Sequence, residues 1–255
     1  GGRPWFASWT QGQPLSFVVT KYARDFPFKA QPGTRYAYSG IGTDVAARVA
    51  EVTTGKPRNE MLVEEVCKPL GMTHTYYWDA DRAKQGGPMP TRYYRGKNGN
   101  LLVSRKRTFP PPNTYSASGG TIISTVRDLS RWLLMIRNRG VHGGEPYLSP
   151  KTIEKMLNGH HIGSNARGGF FIRKKGGESQ PAAIGHTGSS GTNCWIDFEN
   201  DTIGIMLTQT RGKDIRPFRI ELEKKITHAV LAAEKSSAKS KLPRNWIIPP
   251  PLEDL

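Results

Sequence analysis

Cysteine is scarce in this chain: 255 residues contain two, Cys67 and Cys194. They lie far apart and lack metal-ligand spacing or a C-x-x-C pair, so they read as small buried hydrophobes and do not fix the redox compartment. Long apolar runs are also missing. The longest, Trp132 to Ile136 and Ile203 to Leu207, fall far short of the ~20 residues that span a bilayer, so no transmembrane segment is expected. Acidic residues are few, 21 Asp and Glu against 37 Lys and Arg, giving a net charge of +16. Basic residues bunch at Arg92, Arg95, Lys97, Arg105, Lys106 and Arg107, at Arg167, Arg173, Lys174 and Lys175, and at Lys235, Lys239, Lys241 and Arg244. Such a field attracts polyanions without regard to sequence. No zinc finger or RRM is visible, and aromatics are not interleaved with the basic runs as stacking platforms require. The expectation is non-specific contact with anionic polymers and no specific nucleic-acid partner.

What is present suits a globular body. At 36% hydrophobic residues, with 28 Gly besides, the chain is long enough to bury a substantial core as one large domain or two small ones. Val45, Val49 and Val52 recur at helical spacing before Gly55, a C-terminal stop. Glu60 to Val66 forms a second short helix, ended by Pro69 and Gly71. Residues 79–114 read as loop, with a hairpin around Lys97-Asn98-Gly99-Asn100 and one wall of a cleft as its role. Thr125 with Asp128 is a capping-box-like start for a helix carrying Leu129, Trp132, Leu133 and Ile136. Ser149-Pro150 starts another, with Ile153, Met156 and Leu157 behind it. Residues 169–173 and 182–185 suit strands, and Cys194–Phe198 pairs with Ile203–Thr208 across Glu199-Asn200-Asp201. A final helix, about Ile215 to Glu234, carries Phe218, Leu222, Ile226 and Val230 on one side.

Two segments carry chemistry. Ile184 to Thr192 reads as a glycine-punctuated strand edge with a titratable group, His186. Gly185, Gly188 and Gly191 permit close approach, and small residues between them leave room for a ligand beside exposed N–H groups. About 150 residues upstream lies Gln31 to Gly42, containing Pro32-Gly33-Thr34 and Tyr38-Ser39-Gly40, with Tyr38 on the loop just before the valine-bearing helix.

These segments resemble the serine β-lactamase and penicillin-binding-protein superfamily, in its class C-like branch of D-aminopeptidases, D-alanyl-D-alanine carboxypeptidases and family VIII esterases. Tyr38-Ser39-Gly40 is similar to the family's Tyr-x-Asn region. Val66 to Met72 resembles its KPLGM segment, Ser118 to Leu129 its GG-x-x-ST-x-x-DL helix entry, and Gly185 to Gly191 its GH-x-G-x-x-G strand. The resemblance implies an α+β fold of β-lactamase/transpeptidase type: an antiparallel sheet flanked by helices, with a helical lobe. It implies an acyl-enzyme route with no metal or organic cofactor, and an extracytoplasmic location. Tyr38 matches the tyrosine that relays a proton between nucleophile and leaving group. Gly40 stands where that motif has Asn, which removes an amide that would hold substrate and argues against efficient β-lactam turnover. His186 takes the place of lysine in Lys-Thr-Gly; a mostly neutral imidazole is a weaker carboxylate clamp than an ammonium, which favours ester or D-amino-acid amide substrates. Thr187 faces substrate, Gly188 keeps the approach open, and the Ser189 N–H is one half of an oxyanion hole.

The family's nucleophile, Ser-x-x-Lys on a helix, is not where the resemblance needs it. The one such spacing, Ser236-Ser237-Ala238-Lys239, lies downstream of every other block in a polar stretch. With Gly1-Gly2-Arg3 and no Met at the start, the expectation is a partial serine hydrolase domain over residues 1–235, its N-terminal part missing, and a basic, Pro-containing tail over 236–255. A different class stays open: a non-catalytic relative binding peptide or peptidoglycan fragments. β-Lactamase or D,D-carboxypeptidase activity is a further alternative within the enzyme class.

Overall fold

The computed structural model describes residues 13–28, 30–78, 90–104, 117–158, 166–167, 169–174 and 181–237. Helices α1 (Leu15–Asp25), α2 (Gly40–Thr54) and α3 (Arg58–Met61) come first, followed by a π-helical turn (Leu62–Cys67) and α4 (Lys68–Leu70). Short strands β1 (Tyr76–Tyr77), β2 (Tyr93–Arg95), β3 (Leu101–Val103) and β4 (Ile122–Ile123) precede α5 (Val126–Arg137). Next are β5 (Val141–His142), β6 (Glu145–Pro146) and α6 (Pro150–Asn158). The main sheet is built from β7 (Ala166–Arg167), β8 (Phe170–Lys174), β9 (Ala183–Thr187), β10 (Asn193–Asp197) and β11 (Thr202–Met206). Helix α7 (Gly212–Ser237) closes the described chain.

The five strands run in the order β11-β10-β9-β8-β7, antiparallel throughout. Side chains alternate between faces along each strand. One face, with Ile184 and Ile196 fully buried, packs on Leu133, Met135 and Ile136 of α5 and on Ile153 and Leu157 of α6. The other face carries Trp195 and Asn193 toward α7. Gly204 of β11 is forced to be glycine there, because any Cβ would fall inside the Trp195 indole. The β10–β11 turn is fixed by the buried Asp197, whose Oδ1 accepts from Glu199 N at 3.2 Å and Asn200 N at 3.1 Å, an Asx-type turn.

Several local expectations hold, and each has a visible cause. Thr125 Oγ1 accepts from Asp128 N at 3.1 Å and starts α5. The buried Asp128 does not complete a reciprocal box: its Oδ2 instead takes His74 N and Thr75 Oγ1, both at 2.8 Å, tying β1's approach to α5. Ser149 Oγ accepts from Thr152 N at 3.1 Å at the head of α6. Gly55 ends α2 in the left-handed region at φ 71°. The hairpin around Asn98-Gly99 is β2–β3, with Tyr93 opposite Val103 and Arg95 opposite Leu101.

Four details differ from, or add to, what the sequence indicated. Of the two residues expected to end the second helix, Gly71 does so, at φ 65°, whereas Pro69 is carried inside the last turn, Lys68–Leu70. The π turn absorbs the proline, and the Glu65 carbonyl, which a residue-69 N–H would otherwise reach, accepts the Tyr147 hydroxyl instead. Val45, Val49 and Val52 do not face the core. They are exposed, while Ile41, Asp44 and Ala47 point inward against α1 and Ala117. On α7 Leu222, Ile226 and Val230 lie half-buried on one side as expected, joined there by Ile215, Arg219 and Glu223, and only Phe218 of the expected stripe lies outside, at 57% exposure. Finally, β9 is an interior strand, not an edge: β10 covers one side throughout and β8 covers the other as far as Gly185. Helix α1, with Leu15 and Val18 buried, had no counterpart in the sequence reading. Among the described residues no helix is long and apolar enough to cross a membrane. The proposed tail, apart from the backbone of Ser236 and Ser237 at the end of α7, lies outside the described residues, as do Arg105 to Arg107 and Lys175.

Candidate functional site

Tyr38 ends the extended segment that leads into α2. Ser39, its neighbour, is the N-cap, with Oγ accepting from Gly42 N at 3.3 Å. This cap fixes where the helix begins and so leaves Tyr38 outside it, 60% exposed. Its position is secured further along α2. Asp44, fully buried, accepts from Ser118 N at 2.7 Å, and Arg58 reaches Ser118 Oγ at 2.6 Å while lying over the Tyr77 ring. The Ser118-Gly119-Gly120 segment is thereby docked on the helix that presents Tyr38.

His186 is near the end of β9, opposite Cys194 on β10. The Tyr38 and His186 ring centroids are 6.3 Å apart, and Phe171 of β8 packs against both, at 6.1 Å from Tyr38 and 4.9 Å from His186. Segments separated by nearly 150 residues therefore meet in one aromatic group. Phe171 was not singled out from sequence; its strand was legible, but nothing in the alternation told which neighbour it would touch.

Burial lowers the His186 pKa from its ordinary value of 6.5, and the bond to Thr187 O opposes this only in part. His186 Nδ1 lies 2.9 Å from that carbonyl. A carbonyl can only accept, so Nδ1 carries the proton, and in the neutral ring Nε2 is left as an acceptor. The imidazole at neutral pH is thus mostly uncharged, and among the described residues its Nε2 lone pair has no hydrogen-bond partner.

Among the described residues the β8 side of β9 has no register partner beyond Gly185, so there His186 and Thr187 lie at the open end of an interior strand. Thr187 and Ser189 are exposed. The strand then turns back: Gly188 N donates to Thr192 O at 2.8 Å and Gly191 N to Gly188 O at 3.1 Å, with Gly191 at φ 86°. Because N–H and C=O of a trans peptide point oppositely, the bond to Gly188 O directs the Ser189 N–H out of the turn. Gly188 has a reason the sequence did not give: a Cβ there would collide with Thr192 Oγ1. Gly40 is the first residue of α2, its carbonyl taken by Thr43 Oγ1 at 2.5 Å. Among the described residues no hydrogen bond or ring contact joins Gly40, Thr187, Gly188 or Ser189 to Tyr38.

Cys67 and Cys194 are both free thiols. Among the described residues no group of three or more His, Cys, Asp or Glu is placed to hold a metal ion. A depression of about 300 Å³ beside the π turn, lined in part by Glu60, Glu64, Tyr76 and Tyr77, shares no residue with the Tyr38–His186 group.

The family model for Beta-lactamase matches residues 3–227, and the chain belongs to that family of serine hydrolases. A stretch of 114 residues, 44% of the chain, is 32% identical to D-alanyl-D-alanine-carboxypeptidase/endopeptidase AmpH of Escherichia coli and covers 26% of that protein. The fold is similar to a penicillin binding protein from Bacillus halodurans, with TM-score 0.60 and 17% identity over 83% of this chain and 63% of that one. It is also similar to a variant of simvastatin synthase (LovD) from Aspergillus terreus, with TM-score 0.63 and 15% identity over 86% of this chain and 62% of that one. The chain therefore spans only part of these relatives. The α+β fold of the β-lactamase and penicillin-binding-protein type, expected from four sequence blocks, is the fold observed.

Proposed function

We propose that the chain supplies the tyrosine and His-Thr-Gly parts of a serine acyl hydrolase acting on an ester or a D-amino-acid amide or peptide. The observation that carries this reading is the meeting of Tyr38 and His186 across Phe171, beside a turn whose Ser189 N–H is directed outward. In the proposed reaction a serine hydroxyl adds to the substrate carbonyl and passes its proton to the Tyr38 oxygen, which carries it to the leaving group. The oxyanion is held by the Ser189 N–H and by the serine's own N–H. Collapse expels the alcohol or amine, protonated through the Tyr38 phenol, and water then repeats the sequence on the acyl-enzyme. A neutral His186 with an open Nε2 suits a substrate hydroxyl or ammonium better than a free carboxylate, which favours esters and D-amino-acid amides. Gly40, with no side-chain amide, points the same way.

The reaction requires a Ser-x-x-Lys nucleophile, and the only one in these 255 residues, Ser236 to Lys239, follows every other block. A second reading is a non-catalytic relative that binds peptide or peptidoglycan fragments beside the Tyr38–His186 group. Labelling with a fluorophosphonate separates them. The 255-residue chain alone should not be labelled, whereas the form encoded with its upstream sequence should be labelled at a serine of a Ser-x-x-Lys. Failure of that longer form to label while it binds peptide would favour the second reading. Stoichiometric labelling of the 255 residues at Ser236 would overturn the assignment of the nucleophile.

A further inference from the structure

Beneath β9, on the face turned toward α7, lies a polar group that the proposed chemistry does not use. Arg173 of β8 donates through Nη1 to Asn193 Oδ1 at 3.0 Å and through Nη2 to Glu223 of α7. Asn193 of β10 donates through Nδ2 to Glu223 Oε1 at 2.7 Å, and Asn193 is 2% exposed. One carboxylate therefore ties together the two strands that flank β9. The tie has to cross β9, and it crosses at Gly185: a Cβ there would stand 2.6 Å from Arg173 Cδ and 2.9 Å from Trp195 Cβ. The glycine before His186 is thus the gap through which the arginine passes, with its guanidinium over the Trp195 ring at 5.6 Å. Burial and the neighbouring Arg219 both weigh against the charge of Arg173, so its carboxylate partner matters.

Asn193 sits opposite Thr187 in the β9–β10 register. The clamp therefore closes at the point where β9 leaves the sheet for the Gly188–Thr192 turn. The same helix holds the far side of that turn, since Gly212 N, at the start of α7, donates to Ser189 O at 3.0 Å. A single helix grips the turn at both of its shoulders.

We propose that Glu223, acting through Arg173 and Asn193, is a positioning residue of the candidate site: together with Gly212 it makes α7 the element that sets the direction of the Ser189 N–H and the path of His186 and Thr187. The purpose given to this device rests on the hydrolase reading; its existence does not. The test is amide hydrogen exchange on the 255-residue chain, comparing wild type with Glu223→Ala, Glu223→Gln and the control Glu221→Gln, whose exposed side chain pairs with Lys225. Glu223→Gln keeps the size and one acceptor, so it provides a folded variant if Glu223→Ala does not fold. The expected result is exchange about tenfold faster at the Gly188 and Gly191 amides, with α5 unchanged and no effect from Glu221→Gln, because local opening need not follow the global stability. Faster exchange spread evenly over the sheet and α5, or confined to α7, would overturn the proposal, as would no change. In a hydrolytically active form the same variants should lower kcat with KM little changed, as expected for a contact felt in the transition state. If the form that includes the upstream sequence hydrolyses nothing while the selective exchange is seen, the positioning device stands and the hydrolase reading fails.

Discussion

The two halves of the candidate site are held in opposite ways. His186 lies near the end of a strand that β10 and, as far as Gly185, β8 flank, between a core of α5 and α6 side chains on one face and a part-buried polar clamp from α7 on the other. Tyr38 stands 60% exposed at the head of a helix whose valines face outward. The strand half is set by packing, where every neighbour limits every other. The loop half is set by hydrogen bonds at a few points, the Ser39 cap and the Asp44–Ser118–Arg58 group. Substitutions should therefore be felt very differently in the two regions.

The largest difference is expected in stability. Gly204→Val would force side-chain atoms into the Trp195 indole and should cost about 3 kcal/mol or more, or prevent folding, since overpacking between the sheet and α7 has little room to relax. Leu133→Ala, in the core on the opposite face of the sheet, should cost about 2–5 kcal/mol. Val49→Ala on the exposed face of α2 should stay within about 0.5 kcal/mol. Urea denaturation of the three variants checks the contrast; a loss of several kcal/mol at Val49 would mean that the α2 face is covered in solution.

The next effect is on activity, in a form that carries the nucleophile. His186→Ala should lower hydrolysis of p-nitrophenyl esters and D-amino-acid amides by roughly 10²-fold, the scale of one preorganised polar contact. Tyr38→Phe should be at least as damaging, with folding intact because the ring is mostly in solvent. His186→Lys should raise the kcat/KM ratio of a carboxylate-bearing substrate to its neutral ester, since a permanent cation then faces the site. An unchanged ratio in two active enzymes would remove His186 from the substrate's surroundings.

The parts of this molecule that sequence made legible share a physical trait: their cause is local. Thr125, Ser149, Gly55 and the Asn98-Gly99 turn each act on backbone within a few residues, and each sits where expected. The resemblance added the fold and the pairing of Tyr38 with His186, which no local rule supplies. What stayed hidden depends on distant partners. Valines at helical spacing marked α2 but not which face would be buried, since that is decided by α1 and Ala117. The glycine at 185 suggested room for a ligand, whereas the space beneath it is taken by Arg173 on its way to Asn193 and Glu223. Pro69 suggested a stop, but Tyr147, 82 residues from Glu65, takes the carbonyl that the proline leaves.

Smaller effects should follow pH and thiol chemistry. Burial holds the His186 pKa below 6.5 in the folded chain, and the same cause, with Arg131, lowers His142. The unfolded chain therefore binds protons first, so stability present above pH 6.5 is lost as pH falls through the lowered folded values. The melting temperature should drop below pH 6.5, and less steeply in His186→Gln; an equal slope would mean that His186 titrates as in solvent. Burial, with Asp128 nearby, pushes the Cys67 thiol up to about 11, and burial also raises Cys194. Both should react slowly with a disulfide reagent at pH 8 until the chain is unfolded.

Whether the two halves form one site is tested most directly by nuclear Overhauser contacts between aromatic protons in the folded 255-residue chain. Cross-peaks are expected from Phe171 to both Tyr38 and His186, and from Tyr38 to His186, whose ring centroids stand 6.3 Å apart. Phe171–His186 contacts without any from Tyr38 would leave the strand intact but place the tyrosine elsewhere, and the site as described would not exist.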